Sequence, residues 1–308
     1  MTPVRAPAAR PRAAVAAVLV AAEFALAAPA GASDHPLAGR IWDTRSERFV
    51  AEEDLYAHAA RARHVLLGET HDNAEHHRLQ RRVLEALARL GPPRALAMEQ
   101  FDAEHGAALA QAIAAGADAE RVAEAGRFDR AGWDWPLYRP LVEFALAARW
   151  PILAANLSRA EARRIMQRPE LAPLAPAPAQ LAEALARDLV ESHCGESLPP
   201  ARLAAMVEAQ RARDARLAHT LETADRPTVL VTGNGHARRD RGVALYLRDP
   251  SAVVSIAFLE VRAGLVRPAD YYGNFVTRQS FDYLWFTPRQ PRRDPCAQGT
   301  LPHQPASA

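Results

Sequence analysis

Short apolar runs along the chain alternate with stretches in which apolar residues recur every three to four positions. His64–Leu67 is the first such run and reads as a buried strand. Gly68 breaks it, and Glu69, His71 and Asp72 follow in quick succession. Asp72 and Glu75 have capping-box spacing, and Leu79, Val83, Leu87 and Leu90 then recur at helical intervals up to Gly91-Pro92. Arg94–Glu99, Pro151–Ala155, Thr228–Thr232 and Ala252–Val261 read as further strands, with Phe281–Thr287 as a last one at an edge. Asp102 is placed to cap a helix running to Ala115, and another helix ends near Arg149. Ser158 and Glu161 form a second capping box, and two longer helices span about 178–191 and 200–223. Ile41-Trp42-Asp43 and one helix precede the first strand. Strands alternating with helices predict an α/β fold: a largely parallel sheet flanked by helices, one domain over 33–287 with a helical insertion. Residues 169–178, rich in Pro and Ala, are the linker within that insertion.

The strand ends carry the candidate chemistry. Glu69 with His71, Glu99, Asn156 and His236 each end or follow a strand, and a parallel topology brings such ends to one edge, where open α/β sheets bind ligands. Glu69 and His71, two apart, point to the same side of an extended chain; a carboxylate beside an imidazole can orient a tautomer, activate water or help hold a metal. Glycines on both sides of Asn234 allow a sharp turn close to a bound group. In the 200–223 helix, Gln210 and Asp214 interrupt an apolar stripe of Leu203, Val207, Leu217 and Leu221, so that they are either a satisfied core pair or the lining of a pocket. His64 reads as structural, and His76 and His77 as solvated residues on a first helical turn. Arg127, Arg130 and Arg139 lie among Phe128, Trp133, Trp135 and Tyr138; these rings either fill space over the sheet edge or, with the guanidinium groups, suit a flat apolar ligand carrying carboxylates.

A length of 308 residues is ample for a sizeable core, and a net charge of +2 with interspersed acids and bases argues against a nucleic-acid binder. Residues 1–32 have the pattern of a secretory signal: Arg5, Arg10 and Arg12, then apolar runs broken by Glu23, then Ala28-Pro29-Ala30 and Ala30-Gly31-Ala32 as cleavage sites. No cysteine follows the apolar run to accept a lipid, and no later stretch is long enough to span a bilayer. Export with only two cysteines, Cys194 and Cys296, suggests a disulfide between them. Residues 288–308 form a Pro-, Arg- and Gln-rich tail.

Taken in order, Gly68-Glu-Thr-His-Asp72, Met98-Glu-Gln100, Trp135-Pro-Leu-Tyr138, Asn156, His193-Cys-Gly195, Ala209-Gln210, Arg213-Asp214 and Gly233-Asn-Gly-His-Ala-Arg238 resemble the ChaN-like haem-binding proteins of the Tiki, TraB and erythromycin-esterase superfamily. The resemblance runs from about Trp42 to Thr287. It implies a periplasmic or secreted protein that binds haem or another small molecule in iron uptake, with the membrane surface, uptake machinery or a second copy of the chain as partners. The haem contacts expected on that basis are Tyr138, Trp135, Arg130, Asn156, Gln210, Asp214 and Arg238. Tyr138 and His236 are the first choices for the iron ligand, then His71, with Tyr271 and Tyr272 as outsiders. Superfamily relatives use the positions of Glu69, His71, Glu99 and His236 for hydrolysis, so a hydrolase, with a divalent metal, stays open beside the haem-binding reading. The chain has neither a G-x-S-x-G elbow nor an H-E-x-x-H helix.

Overall fold

The computed structural model describes residues 1–2, 34–172, 174–273, 275–292 and 296. The expected leader and most of the tail lie outside the described residues. Eight strands form one sheet: β1 (Ile41–Asp43), β2 (Arg48–Val50), β3 (His64–Glu69), β4 (Ala95–Asp102), β5 (Ile152–Asn156), β6 (Thr228–Gly233), β7 (Val253–Glu260) and β8 (Tyr283–Thr287). Their order is β2-β1-β8-β7-β3-β6-β4-β5. From β8 to β5 all neighbours are parallel, while β1 pairs antiparallel with β2 and β8. The sheet is therefore mixed but mostly parallel. The β1–β2 hairpin, too short to show as a strand pattern, covers β8, which is an interior strand and not the edge expected of it.

Side chains alternate across this sheet as the strand period requires. Val65, Leu67, Met98, Val231 and Ile256 enter the larger core on one face, and Leu66, Ala97, Leu230 and Ala257 the core on the other. The first face is covered by α1 (Glu52–Arg61), α2 (Ala74–Leu90), α3 (Gly106–Ala114), α4 (Ala119–Ala125) and α5 (Trp135–Ala147). The insertion between β5 and β6 supplies α6 (Arg159–Gln167), α7 (Ala179–Ser192) and α8 (Pro200–Thr223), and a single turn, α9 (Asn234–Ala237), follows β6. Leu217 and Leu221 of α8 and Ala237 of α9 lie in the second core.

Of the three helix caps that the spacing predicts, one forms as expected. Ser158 and Glu161 make the expected reciprocal capping box. At α2 the cap is Asn73, not Asp72: Asn73 Oδ1 accepts from the N–H groups of Glu75 (2.9 Å) and His76 (3.1 Å), while its amide donates to Glu260 (2.6 Å). Asp102 makes no side-chain cap and ends β4 instead. The Cys194–Cys296 disulfide is present and ties the tail to the turn after α7 across 102 residues of sequence. No helix among the described residues is long and apolar enough to cross a membrane.

Gly68 is the point where α9 rests on β3. A Cβ there would lie 2.5 Å from Asn234 Oδ1 and 2.8 Å from the Ala237 side chain. Gly68→Ala should therefore lower the unfolding free energy by about 1–3 kcal/mol through overpacking. Urea unfolding would show this as a lower midpoint at unchanged slope, and an unchanged midpoint would mean that α9 simply gives way.

Candidate functional site

β3 and β6 run side by side in register, with His64 opposite Thr228 and Glu69 opposite Gly233. The connection from β3 to β4 passes β6 through α2 on the first face, and that from β6 to β7 passes β3 through α9 on the second, so both carboxyl ends lie between connections on opposite faces. β4 stays paired with β6 only to Met98, and its register with β5 shifts between Met98 and Asp102. Such irregularities re-aim side chains next to functional sites. Here the Glu99 carboxylate takes over where the ladder stops: Oε2 accepts from Thr232 Oγ1 (2.6 Å) and from the Gly233 N–H (2.8 Å).

Three buried carboxylates hold the two imidazoles of the centre, Glu69 at His71 and Asp214 with Glu99 at His236. Glu69 Oε1 accepts from the Tyr138 hydroxyl (2.6 Å) and from His71 Nδ1 (3.0 Å). Its Oε2 accepts from Gln80 (2.5 Å) and lies 3.3 Å from His77 Nδ1. His77 Nε2 donates to the His71 carbonyl (2.9 Å), so α2 fixes the backbone and the side chain of that loop together. On the other side, His236 Nδ1 is 2.7 Å from Asp214 Oδ1 and Nε2 is 3.5 Å from Glu99 Oε1. Gln210 Nε2 sits 3.3–3.4 Å from both of its ring nitrogens. His71 and Glu99 meet at Gly233: a Cβ there would be 2.9 Å from His71 Cε1, 3.1 Å from Nε2 and 3.9 Å from Glu99 Oε2. A side chain at 233 would thus displace the His71 ring edge.

Mutual charge sets the protonation states. Burial opposes ionising Glu99, but His236, His71 and the two hydrogen bonds outweigh it and hold the carboxyl below its usual range. Burial likewise opposes charging His236; Glu99 and Asp214 prevail and raise it. His71 is raised in the same way, by its Glu69 hydrogen bond and by the charges of Glu99 and Glu69. Asp214 is pushed up to about 6 by burial, which His236 only partly offsets. Burial and the neighbouring Glu69 charge drive the Tyr138 phenol well above its ordinary value, so it stays a hydrogen-bond donor.

Above this centre lies a cleft of about 1270 Å³. Glu69, His71, Gln210 and His236 reach its floor, and Trp133 walls it, packed edge-on to His71 with ring centroids 4.7 Å apart. Leu185 and Leu189 of α7 and Tyr271, Tyr272 and Phe275 form further walls, with Arg262, Arg289 and Arg292 around them. Arg292 is ion-paired with Glu260 and Asp72, whereas the guanidinium groups of Arg262 and Arg289 have no partner among the described residues.

Several residues expected here are elsewhere. Trp135 is buried and donates to Glu120 (2.7 Å), and Arg130 pairs with the same carboxylate (2.7 Å) over the Trp135 ring. Arg139 is held by Glu143. Of that segment only Gly132, Trp133 and Asp134 line the cleft. Tyr138 is fully buried beneath Glu69 and absent from the lining. Asn156 turns back to accept from the Leu157 N–H (2.8 Å). Arg238 is sealed against Asp240 and Ser280. Asp214 touches His236 and does not reach the cleft, whereas Gln210 does. The guanidinium groups that border the cleft without a partner among the described residues are Arg262 and Arg289, which no local pattern marked.

His76 and His77 are buried, not solvated, with His76 bonded to the Thr70 N–H (2.9 Å) and Thr287 (2.9 Å). The signal was available: the stripe of Leu79, Val83 and Leu87 extends back by one helical step to His76, and Gln80 lies beside it. No three His, Asp or Glu ligand atoms of this centre lie mutually within 4.8 Å; the group that does, among the described residues, is Asp102, Glu104 and His105 at the end of β4. The inner centre is thus not preformed as a three-ligand metal site.

Residues 55–247 match the family described as haem-binding uptake, Tiki superfamily, ChaN. The chain belongs to the ChaN family. The fold of this ChaN-family chain is similar to a solved structure described as cofacial heme binding to ChaN of Campylobacter jejuni, with a TM-score of 0.66 at 23% identity, covering 80% of this chain and 95% of that one. More distant likenesses are the type III effector HopBA1 (TM-score 0.46, 16% identity, 77% of this chain and 92% of that one) and the erythromycin esterase EreC (TM-score 0.42, 13% identity, 72% and 76%). Curated protein sequences give no match.

The buried Asp214–His236–Glu99 line makes a pH-dependent stability prediction. His236 is held above its ordinary 6.5, so its contribution is complete below about 6.5 and is lost as pH rises through its folded value. Glu99, held below 4.5, contributes above that value and loses its share as pH falls through its folded value. Replacing His236 by Asn leaves two carboxylates without their cation and should cost about 3–5 kcal/mol near pH 6. The loss should shrink toward pH 9, where the wild type has given up the same charge. Urea unfolding at both pH values checks this; an equal loss at both would remove the imidazolium from the account.

Proposed function

We propose that this ChaN-family chain binds haem in the strand-end cleft and acts as an exported carrier in haem or iron uptake. The observation that carries the reading is the cleft itself, which joins aromatic and aliphatic walls to two guanidinium groups, Arg262 and Arg289, that have no partner among the described residues. Apolar walls suit a macrocycle, and guanidinium groups suit its two carboxylates. Tyr138 and His236 are buried, and the Cε1–Nε2 edge of His71 is turned against Gly233. Tyr271 and Tyr272 face the open cleft. Burial raises the Tyr271 phenol, and its oxygen accepts from the Arg262 N–H (2.7 Å), which offsets part of that rise; the Tyr272 oxygen accepts from Trp42 (3.1 Å). We assign the iron to Tyr271.

One observation favours a second reading, hydrolysis at the inner centre. His236 is polarised between two carboxylates and His71 is oriented by Glu69, an arrangement that can take a proton from water at the cleft floor. The two readings use different residues and separate cleanly. Titration of the full chain with ferric haem should give a saturable Soret band. Tyr271→Phe should shift that band and weaken binding roughly tenfold or more, and Arg289→Ala should weaken it by about tenfold without moving it. His71→Ala should leave the band in place. Haem uptake no better than that of an unrelated protein, with ester or peptide hydrolysis lost in His71→Ala, would give the cleft to the hydrolase.

Export is tested by the mature N-terminus. The chain recovered from the envelope fraction of an exporting host should begin near Ser33. Recovery with Met1 intact would overturn it.

A further inference from the structure

A second cavity, of about 560 Å³, lies between α6, the Pro169–Leu171 turn with Leu174, and α8, apart from the strand-end cleft. Its floor is aliphatic. Leu157, Ile165 and Ala212 are buried there, and Leu171 and Leu174 extend the wall, Leu171 leaving 46% of its surface exposed. No aromatic ring lines it apart from the imidazole of His219.

The rim is cationic: Arg164, Arg168 and Arg216 border the groove with Glu161 as the one acid. Glu161 is already occupied as the capping partner of Ser158, accepting from its N–H and hydroxyl. None of the three guanidinium groups has an ion pair or side-chain hydrogen bond among the described residues. By contrast, Arg211 of α8 is held by Glu208 and the Ala175 carbonyl, and Arg241, after α9, is clamped by Asp188. Three unpaired like charges beside an apolar trough make a region of positive potential that a desolvated anion would relieve. Aliphatic walls without ring faces suit a flexible alkyl chain better than a planar ring system, which gains from stacking on aromatic side chains.

We propose that this groove binds a long-chain carboxylate, with the alkyl tail along Ile165, Leu171, Leu174 and Ala212 and the head among Arg164, Arg168 and Arg216. The site shares no residue with the strand-end cleft and stands whether or not that cleft takes haem.

Calorimetric titration of the full chain with dodecanoate, kept below its micelle concentration, should saturate at one site per chain. Arg168→Glu combined with Arg216→Glu should weaken binding at least tenfold, and dodecanol should bind at least tenfold more weakly than dodecanoate. Ala215→Phe, which fills the groove from α8, should abolish binding at an unchanged far-ultraviolet dichroism spectrum. Absence of saturable binding, full affinity in the charge-reversed chain, or equal affinity for dodecanol would each overturn the proposal. So would haem that competes with dodecanoate and loses its Soret band in the charge-reversed chain, which would assign the groove to a tetrapyrrole carboxylate instead.

Discussion

The Glu69 carboxylate is the constraint on which the site depends. It is fully enclosed, and an enclosed carboxylate without partners costs several kcal/mol or changes its protonation state. Four elements share in satisfying it: the His71 loop, α2 through Gln80 and His77, α5 through Tyr138, and β4 through Gln100 at 3.5 Å. Removing any one partner leaves the charge less than satisfied. The helices over this face of the sheet are thereby set in position by a polar hub as well as by the apolar core beneath them.

From that hub the site has two layers. The inner one is small, charged and closed, and glycine at 233 is what lets the two imidazole–carboxylate pairs approach one another. The outer one is wide, mixed in polarity and open, and is built from segments with little regular structure around 262–276 and 289–292. The inner layer suits proton chemistry and the outer one a large flat ligand. A chain can use both, or keep the inner layer as the rigid floor of the outer one.

The irregular end of β4 re-aims side chains there, and the Gly68 contact lets the α9 turn sit closer on β3 than an ordinary side chain would allow. In the second core Arg238 is enclosed, held by Asp240 and Ser280. Buried polar groups at the sheet edge gather in hydrogen-bonded clusters, within which Gln100 Oε1, Gln210 Oε1, Asn234 Oδ1 and Arg238 Nη1 find no partner among the described residues.

Much was legible from the sequence alone because it rests on local periodicity. The runs at His64, Arg94, Pro151, Thr228 and Ala252 are strands, the 200–223 helix is a helix, and parallel connection then obliges Glu69, Glu99 and His236 to share an edge. The polar pair in the α8 stripe was visible for the same reason. The β1–β2 hairpin was not, since three-residue strands carry no period, and β8 was misplaced at an edge because its neighbour is that hairpin. The arginine-and-tryptophan segment misled because composition says nothing of direction: Trp135 and Arg130 turn to Glu120, and Trp133 alone of its rings lines the cleft. The walls of the cleft, Tyr271, Phe275, Arg262 and Arg289, lie in stretches without pattern. Their meeting with His71 is a matter of distance in space between residues far apart in the chain, which only the packed tertiary structure decides.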